Sequence, residues 1–179
     1  KIPMSVYTRL TKEELEQLLY LYDIGEFIRV EGINEGITNS NYYLTTSKNK
    51  FILTIFEEPN LNLDYAIDLM HMLSANKINC PTPLKTKEGL SVTNVKNKPC
   101  SIFTLLPGKT ISKNTPTISM CKQIGTIIGK IHNCSEKFKR FDLGLRNNDW
   151  FISTSKKLET VLIIEDIKLI KKEIENLIY

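Results

Sequence analysis

Residues 31–41, Glu31-Gly-Ile-Asn-Glu-Gly-Ile-Thr-Asn-Ser-Asn41, gather the groups of this chain best suited to holding an anion. Gly32 and Gly36 lack a Cβ, so main-chain N–H groups around them, that of Ile37 included, can come close to phosphate oxygens. Thr38, Asn39, Ser40 and Asn41 add short polar side chains. A hairpin needs only two connecting residues, so a longer connection calls for a reason. Composition alone leaves an irregular surface hairpin as the alternative, because the segment is neither a Walker loop nor a dinucleotide fingerprint.

The other reactive side chains are sparse. Of the two histidines, His71 falls within a helical pattern and His132 at a helix end, where the dipole favours a cation; both read as structural. Cys80, Cys100, Cys121 and Cys134 contain no Cys-x-x-Cys pair, which argues against zinc and for free thiols in a reducing compartment. The net charge of +4 comes from 24 basic and 20 acidic residues spread along the chain, without the basic and aromatic clusters that nucleic acid requires. No apolar run approaches the roughly 20 residues that span a bilayer, and residues 1–8 lack a signal-peptide core. A cytoplasmic protein is expected.

The elements that must position the glycine segment follow from periodicity. Thr11-Lys-Glu-Glu14 is a capping box, after which Leu15, Leu18, Leu19 and Tyr22 mark a short amphipathic helix ended by Asp23-Ile-Gly25. Residues 27–30, 41–46 and 51–56 have strand composition and are joined by connections too short for a crossover helix, so they form an antiparallel meander. Leu63, Ile67, Met70 and Leu73 form one face of a helix running to about Asn76. Cys80-Pro-Thr-Pro83 is extended, residues 84–86 and 90–95 are short strands, and residues 100–106 are a buried strand broken by Pro107-Gly108. Helices follow: one with Thr115 as N-cap and Pro116 at its first position, carrying Ile118, Cys121, Ile124, Ile128 and Ile131, and one long helix over residues 156–179. Residues 141–148 are expected as a loop, with Trp150 buried against the preceding helix.

Strands followed by helices predict an α+β arrangement with a boundary near Pro107-Gly108. Residues 1–107 would form a protein-kinase-like small lobe, an antiparallel five-stranded sheet plus helix, and residues 108–179 the first helices of a large lobe. In that plan the strand before Pro107 enters a hinge. The main-chain groups of Thr104, Leu105 and Leu106 would there meet an adenine edge.

Several segments resemble the homoserine kinases of the aminoglycoside-phosphotransferase superfamily: Met4-Ser-Val-Tyr-Thr8, Gly32-Ile-Asn-Glu-Gly36 with Asn39-Ser-Asn-Tyr42, Ile52-Leu-Thr-Ile-Phe-Glu57, Pro81-Thr-Pro83, Lys98-Pro99, Leu106-Pro-Gly108 and Gly129-Lys-Ile-His132. Their order and spacing carry the likeness, from Met4 to about Trp150. The resemblance implies transfer of a phosphoryl group from ATP, with magnesium, to the hydroxyl of L-homoserine, for threonine biosynthesis. Such catalysis consists of positioning and charge neutralisation.

Departures from kinase patterns matter equally. Thr54 stands where kinases carry a strand lysine, and the helix after it offers Asp64 and Asp68 but no glutamate. Lys48 and Lys50 could offset phosphate charge, although a turn position favours solvation. The catalytic His-x-Asp-x-x-x-x-Asn segment and the later metal-binding Asp of the family have no counterpart; neither Asp142 nor Asp149 has the paired Asn. No catalytic or metal residue is therefore expected in this chain, and the chain alone is expected to be inactive. The alternatives are a nucleotide- or partner-binding protein without catalysis, and a kinase of another small alcohol such as choline or an aminoglycoside.

Overall fold

The computed structural model describes residues 6–34, 36–58, 62–108, 116–136, 138 and 148–178, with only the backbone described at residues 177 and 178. Two compact units divide the chain, Lys1–Lys139 and Arg140–Tyr179.

The first unit opens with helix α1, Lys12–Tyr20. Its expected capping box is present: Thr11 Oγ1 accepts from the Glu14 N–H, and the Glu14 carboxylate accepts from the Thr11 N–H. Gly25, at φ +89°, turns the chain out of α1, and a Cβ there would meet Ser47 Oγ at 2.4 Å. Strands β1 (Phe27–Gly32), β2 (Asn39–Thr46) and β3 (Lys50–Phe56) form the meander. Helix α2 spans Leu63–Ala75, and β4 (Thr93–Val95) and β5 (Lys98–Thr104) complete an antiparallel sheet of order β1-β2-β3-β5-β4. The fold is thus the expected kinase-like sheet. β4 is shorter than anticipated, and residues 82–84 run alongside β5 instead of forming a strand of their own, with Leu84 N–H donating to Ile102 C=O.

The pleat gives the sheet two different faces. Ser40, Tyr42, Leu44 and Thr46 of β2 are buried on one side, where Leu15, Leu18 and Leu19 of α1 close a core with Leu53, Ile55, Cys100 and Ile102. The intervening residues of β2 and β3 face the other side, part of which α2 covers through Ile67 on Phe56 and Phe103. A bulge at Ile28, between the pairs Phe27↔Thr46 and Arg29↔Thr45, lets Phe27 and Val30 both pack on the first core.

Helix α3, Ile118–Ser135, belongs to the first unit. Its N-cap is Thr117, whose hydroxyl accepts from the Met120 N–H, so the expected start at Thr115-Pro116 is corrected. Thr117 has the extended backbone an N-cap needs, which leaves Pro116 outside the helix; Thr115 lies outside the described residues. The expected single long helix is also corrected. In the second unit α4 (Asn148–Leu158) and α5 (Ile164–Ile178) form a helical hairpin. Thr160 and Val161 are β-branched and weaken the helix at that point, and Val161 and Leu162 N–H both turn back to Leu158 C=O. Reversal lets Leu162, Ile167 and Ile170 line a seam with Ser155, bridged by Lys171 and Glu159 at 2.8 Å. Trp150, expected to bury, is 38% exposed and packs edge-on against Phe151. Asn148, expected to close the loop at residues 141–148, instead begins α4, and residues 141–147, Asp142 included, lie outside the described residues.

Candidate functional site

The glycine segment forms the turn between β1 and β2. Its neck is closed by Ile33 N–H donating to Asn41 C=O at 2.9 Å. Gly36 has φ +127°, a conformation that L side chains rarely adopt, and a Cβ there would touch Asn41 Nδ2 at 3.4 Å. Of the short polar side chains after it, Asn39, Ser40 and Asn41 begin β2 and alternate between the two faces of the sheet. Ser40 is fully buried on the α1 side, where its Oγ accepts from Tyr7 and Thr8 N–H at 2.8 and 2.9 Å and donates to Glu57 Oε1 at 2.5 Å. Asn39 Oδ1 accepts from the Glu57 N–H. Asn41 Oδ1 accepts from Thr54 Oγ1 at 2.8 Å, so the neutral residue at the kinase-lysine position holds a neighbouring strand. The hydroxyl of Ser40 and the carbonyl oxygens of both asparagine side chains are thus engaged within the protein. The exposed Ile37 and Thr38 remain at the tip beside Gly36.

At the other end of the sheet, the reciprocal pairing of two threonines fixes the exit of β5. Thr104 N–H donates to Thr82 C=O at 3.0 Å, and Thr82 N–H donates to Thr104 Oγ1 at 2.9 Å. Leu105 and Leu106 follow the last ladder pair, Phe51↔Thr104. Both are about two-fifths exposed, so an incoming ring would find an apolar edge there.

Between glycine turn and hinge, on the face opposite α1, lies a groove of about 390 Å³ lined by Ile28, Arg29, Glu31, Tyr43, Thr45, Lys50 and Leu105. A second depression of about 460 Å³ shares Thr45, Lys50 and Leu105 and extends to Pro107. Along β3, the pairs Asn39↔Phe56 and Phe51↔Thr104 lie five residues apart, about 17 Å of strand. That span suits an extended nucleotide lying along the sheet. Of the two cations lining the groove, Arg29 is paired with Glu31, and Lys50 has no ion pair among the described residues. Lys48 instead bonds Asp23 at 2.6 Å.

Of the site residues expected from the sequence, Leu105 lines this groove and Leu106 the depression beside it, whereas the floor at Ile28, Arg29, Tyr43 and Thr45 was not anticipated. Tyr43 and Thr45 could have been read from period-two alternation, since they share the odd-numbered face of β2 with Asn41. Arg29 and Ile28 were hidden by the bulge, which shifts the alternation of β1. The histidines lie elsewhere: His71 Nε2 meets Ser91 Oγ at 3.0 Å, and His132 sits in the last turn of α3.

On the α1 side, the carboxylate of Glu57 collects the hydroxyls of Ser40 and Thr8 and the ammonium of Lys98. Burial is the largest influence on this carboxyl and pushes its pKa up. Hydrogen bonds from Lys98, Ser40 and Thr8, with the charge of Lys98, outweigh it and leave the group below its usual 4.5.

Comparison with known proteins agrees with this geometry. A family model described as the phosphotransferase enzyme family matches residues 29–164. Among curated relatives, homoserine kinases of Methylobacillus flagellatus and Neisseria meningitidis serogroup B are each 33% identical, over 96% and 97% of this chain but 54% and 57% of their own lengths. One of Azorhizobium caulinodans is 36% identical over 76% of this chain and 42% of its own. The chain spans about half the length of the curated relatives it matches. A spectinomycin phosphotransferase solved with ADP and spectinomycin superposes with a TM-score of 0.67 at 13% identity, over 85% of this chain and 47% of that one. A microcompartment-associated aminopropanol kinase gives 0.57 at 17% identity, over 76% and 46%. At those identities the likeness is one of fold.

Proposed function

Because the chain belongs to the phosphotransferase enzyme family, we propose that it is the nucleotide-binding half of a cytoplasmic ATP-dependent kinase whose acceptor is L-homoserine, in a route to threonine. The observation that carries the reading is the groove on the open face of the sheet, which starts beside Leu105 and reaches Glu31 and Tyr43, on the strands that lead to the glycine turn. Adenine would rest on Ile28, Tyr43 and Leu105 and exchange hydrogen bonds with the main chain at Leu105 and Leu106. The phosphates would point to the amides of Gly36, Ile37 and Thr38, while Lys50, beside Leu105, lies at the adenine end. This division suits phosphoryl transfer, in which positioning and charge neutralisation dominate. With Thr54 in place of a lysine, amides take a larger share of the neutralisation than in protein kinases.

Residues 1–107 act in this reading as the small lobe and residues 108–179 as the beginning of the large one. Magnesium would arrive with the triphosphate. Among the described residues no group of three or more His, Cys, Asp or Glu side chains could hold a metal. The acceptor assignment rests on the homoserine kinases among the relatives. No helix of the described residues is long and apolar enough to cross a membrane.

Calorimetric titration of the chain with ADP tests the nucleotide reading. Saturable binding that Tyr43→Ala weakens is expected, together with no phosphoryl transfer to homoserine by these 179 residues alone. Absence of binding at millimolar ADP overturns it. Phosphorylation of choline and not homoserine by the longer protein would overturn the acceptor.

A further inference from the structure

Tyr7 reaches the glycine turn from the side opposite the groove. Its main-chain N–H bonds Ser40 Oγ, which points into the α1 core, so the residue is anchored on that face. From there its phenol donates to the main-chain carbonyl of Ile37 at 3.0 Å, across 30 residues of sequence. Thr8, next in the chain, is buried and held by Ser40, Glu57, Lys98 and the phenol of Tyr42. The base of this strap is therefore fixed, while the phenol at its end touches the turn.

The peptide between Ile37 and Thr38 is planar and trans, so its C=O and N–H point in opposite directions. A carbonyl drawn toward Tyr7 on the α1 side sends the Thr38 N–H toward the face that carries Asn41, Tyr43 and the groove. We infer that Tyr7 is a positioning residue of the nucleotide site: by holding the Ile37 carbonyl it aims the Thr38 amide at the phosphates of a bound nucleotide. The inference rests on the nucleotide reading above. It assigns a role to an amino-terminal residue that lines neither depression of the candidate site. Without the phenol, the 37–38 peptide can rotate, and an amide free to turn away gives up part of its bond to an anion.

Tyr7→Phe removes one oxygen from a side chain that is 56% exposed, so folding should be unchanged, and a thermal melt checks it. Wild type and variant are titrated with adenosine and with ADP. One hydrogen bond predicts ADP affinity about three- to tenfold lower in the variant, with adenosine affinity unchanged. In a ¹⁵N spectrum the Thr38 amide should shift with ADP in wild type and shift less in the variant. Equal losses for both ligands would mean general loosening of the lobe and overturn the inference, as would an unchanged ADP affinity. A wild type that binds neither ligand overturns the nucleotide reading and this inference together.

Discussion

At the scale of single residues, Glu57 is where charge and burial meet. Its side chain is only 12% exposed, yet its carboxyl titrates below 4.5 because Lys98, Ser40 and Thr8 all bond the charged form. A group with a lowered folded-state pKa adds stability above its unfolded value, and that stability is lost as pH falls through the folded value. Glu57→Gln should therefore cost stability at pH 7, by about 1–2 kcal/mol since the 40%-exposed Lys98 can be rehydrated. The gap between variant and wild type should narrow as pH falls below 4.5. Urea denaturation at both ends of that range checks it, and a gap independent of pH would count against the ionic account.

Among elements, α1 shows how far local chemistry can be read. Two residues three apart, Thr11 and Glu14, suffice to mark its start, and the leucines after them pack on the sheet as their spacing requires. Thr11→Ala removes one partner of the capping box and should cost about 0.5–2 kcal/mol, visible as a lower melting temperature. The meander and α2 were similarly legible, because strand composition and helical spacing are properties of neighbouring residues. Three features were not. The start of α3 depended on which of two threonines, Thr115 or Thr117, adopts the extended cap geometry. The break between α4 and α5 falls in a run whose apolar spacing continues on both sides, so periodicity alone reads through it. The face on which each polar residue of the glycine turn lies became clear only with strand register, which separates Ser40 from Asn39 and Asn41.

At the scale of the molecule, the fold and the family match agree on a phosphotransferase, and the chain spans about half the length of the curated relatives it matches. Ile124, Ile127 and Ile128 of α3 form one apolar stripe, each residue about half exposed. On the proposed reading, this chain should bind nucleotide without transferring phosphate, which the titration above checks.

The strap at Tyr7 and Thr8 has a consequence for how the chain is born. Lys98 meets Thr8 across 90 residues, and Lys96 meets the carbonyl of Arg9 across 87. At ordinary translation rates that separation is roughly 5–20 s of synthesis. The first three strands, adjacent in sequence, can pair long before β5 exists, whereas Tyr7 and Thr8 must wait for β5 before they latch. Pulse-labelled hydrogen exchange during refolding should show the Tyr7 and Thr8 amides gaining protection after those of Leu44 and Leu53. The Ile37 carbonyl would then be gripped only once the sheet is whole, so that, on the proposed nucleotide reading, a half-made lobe would hold a phosphate loosely and a finished one firmly.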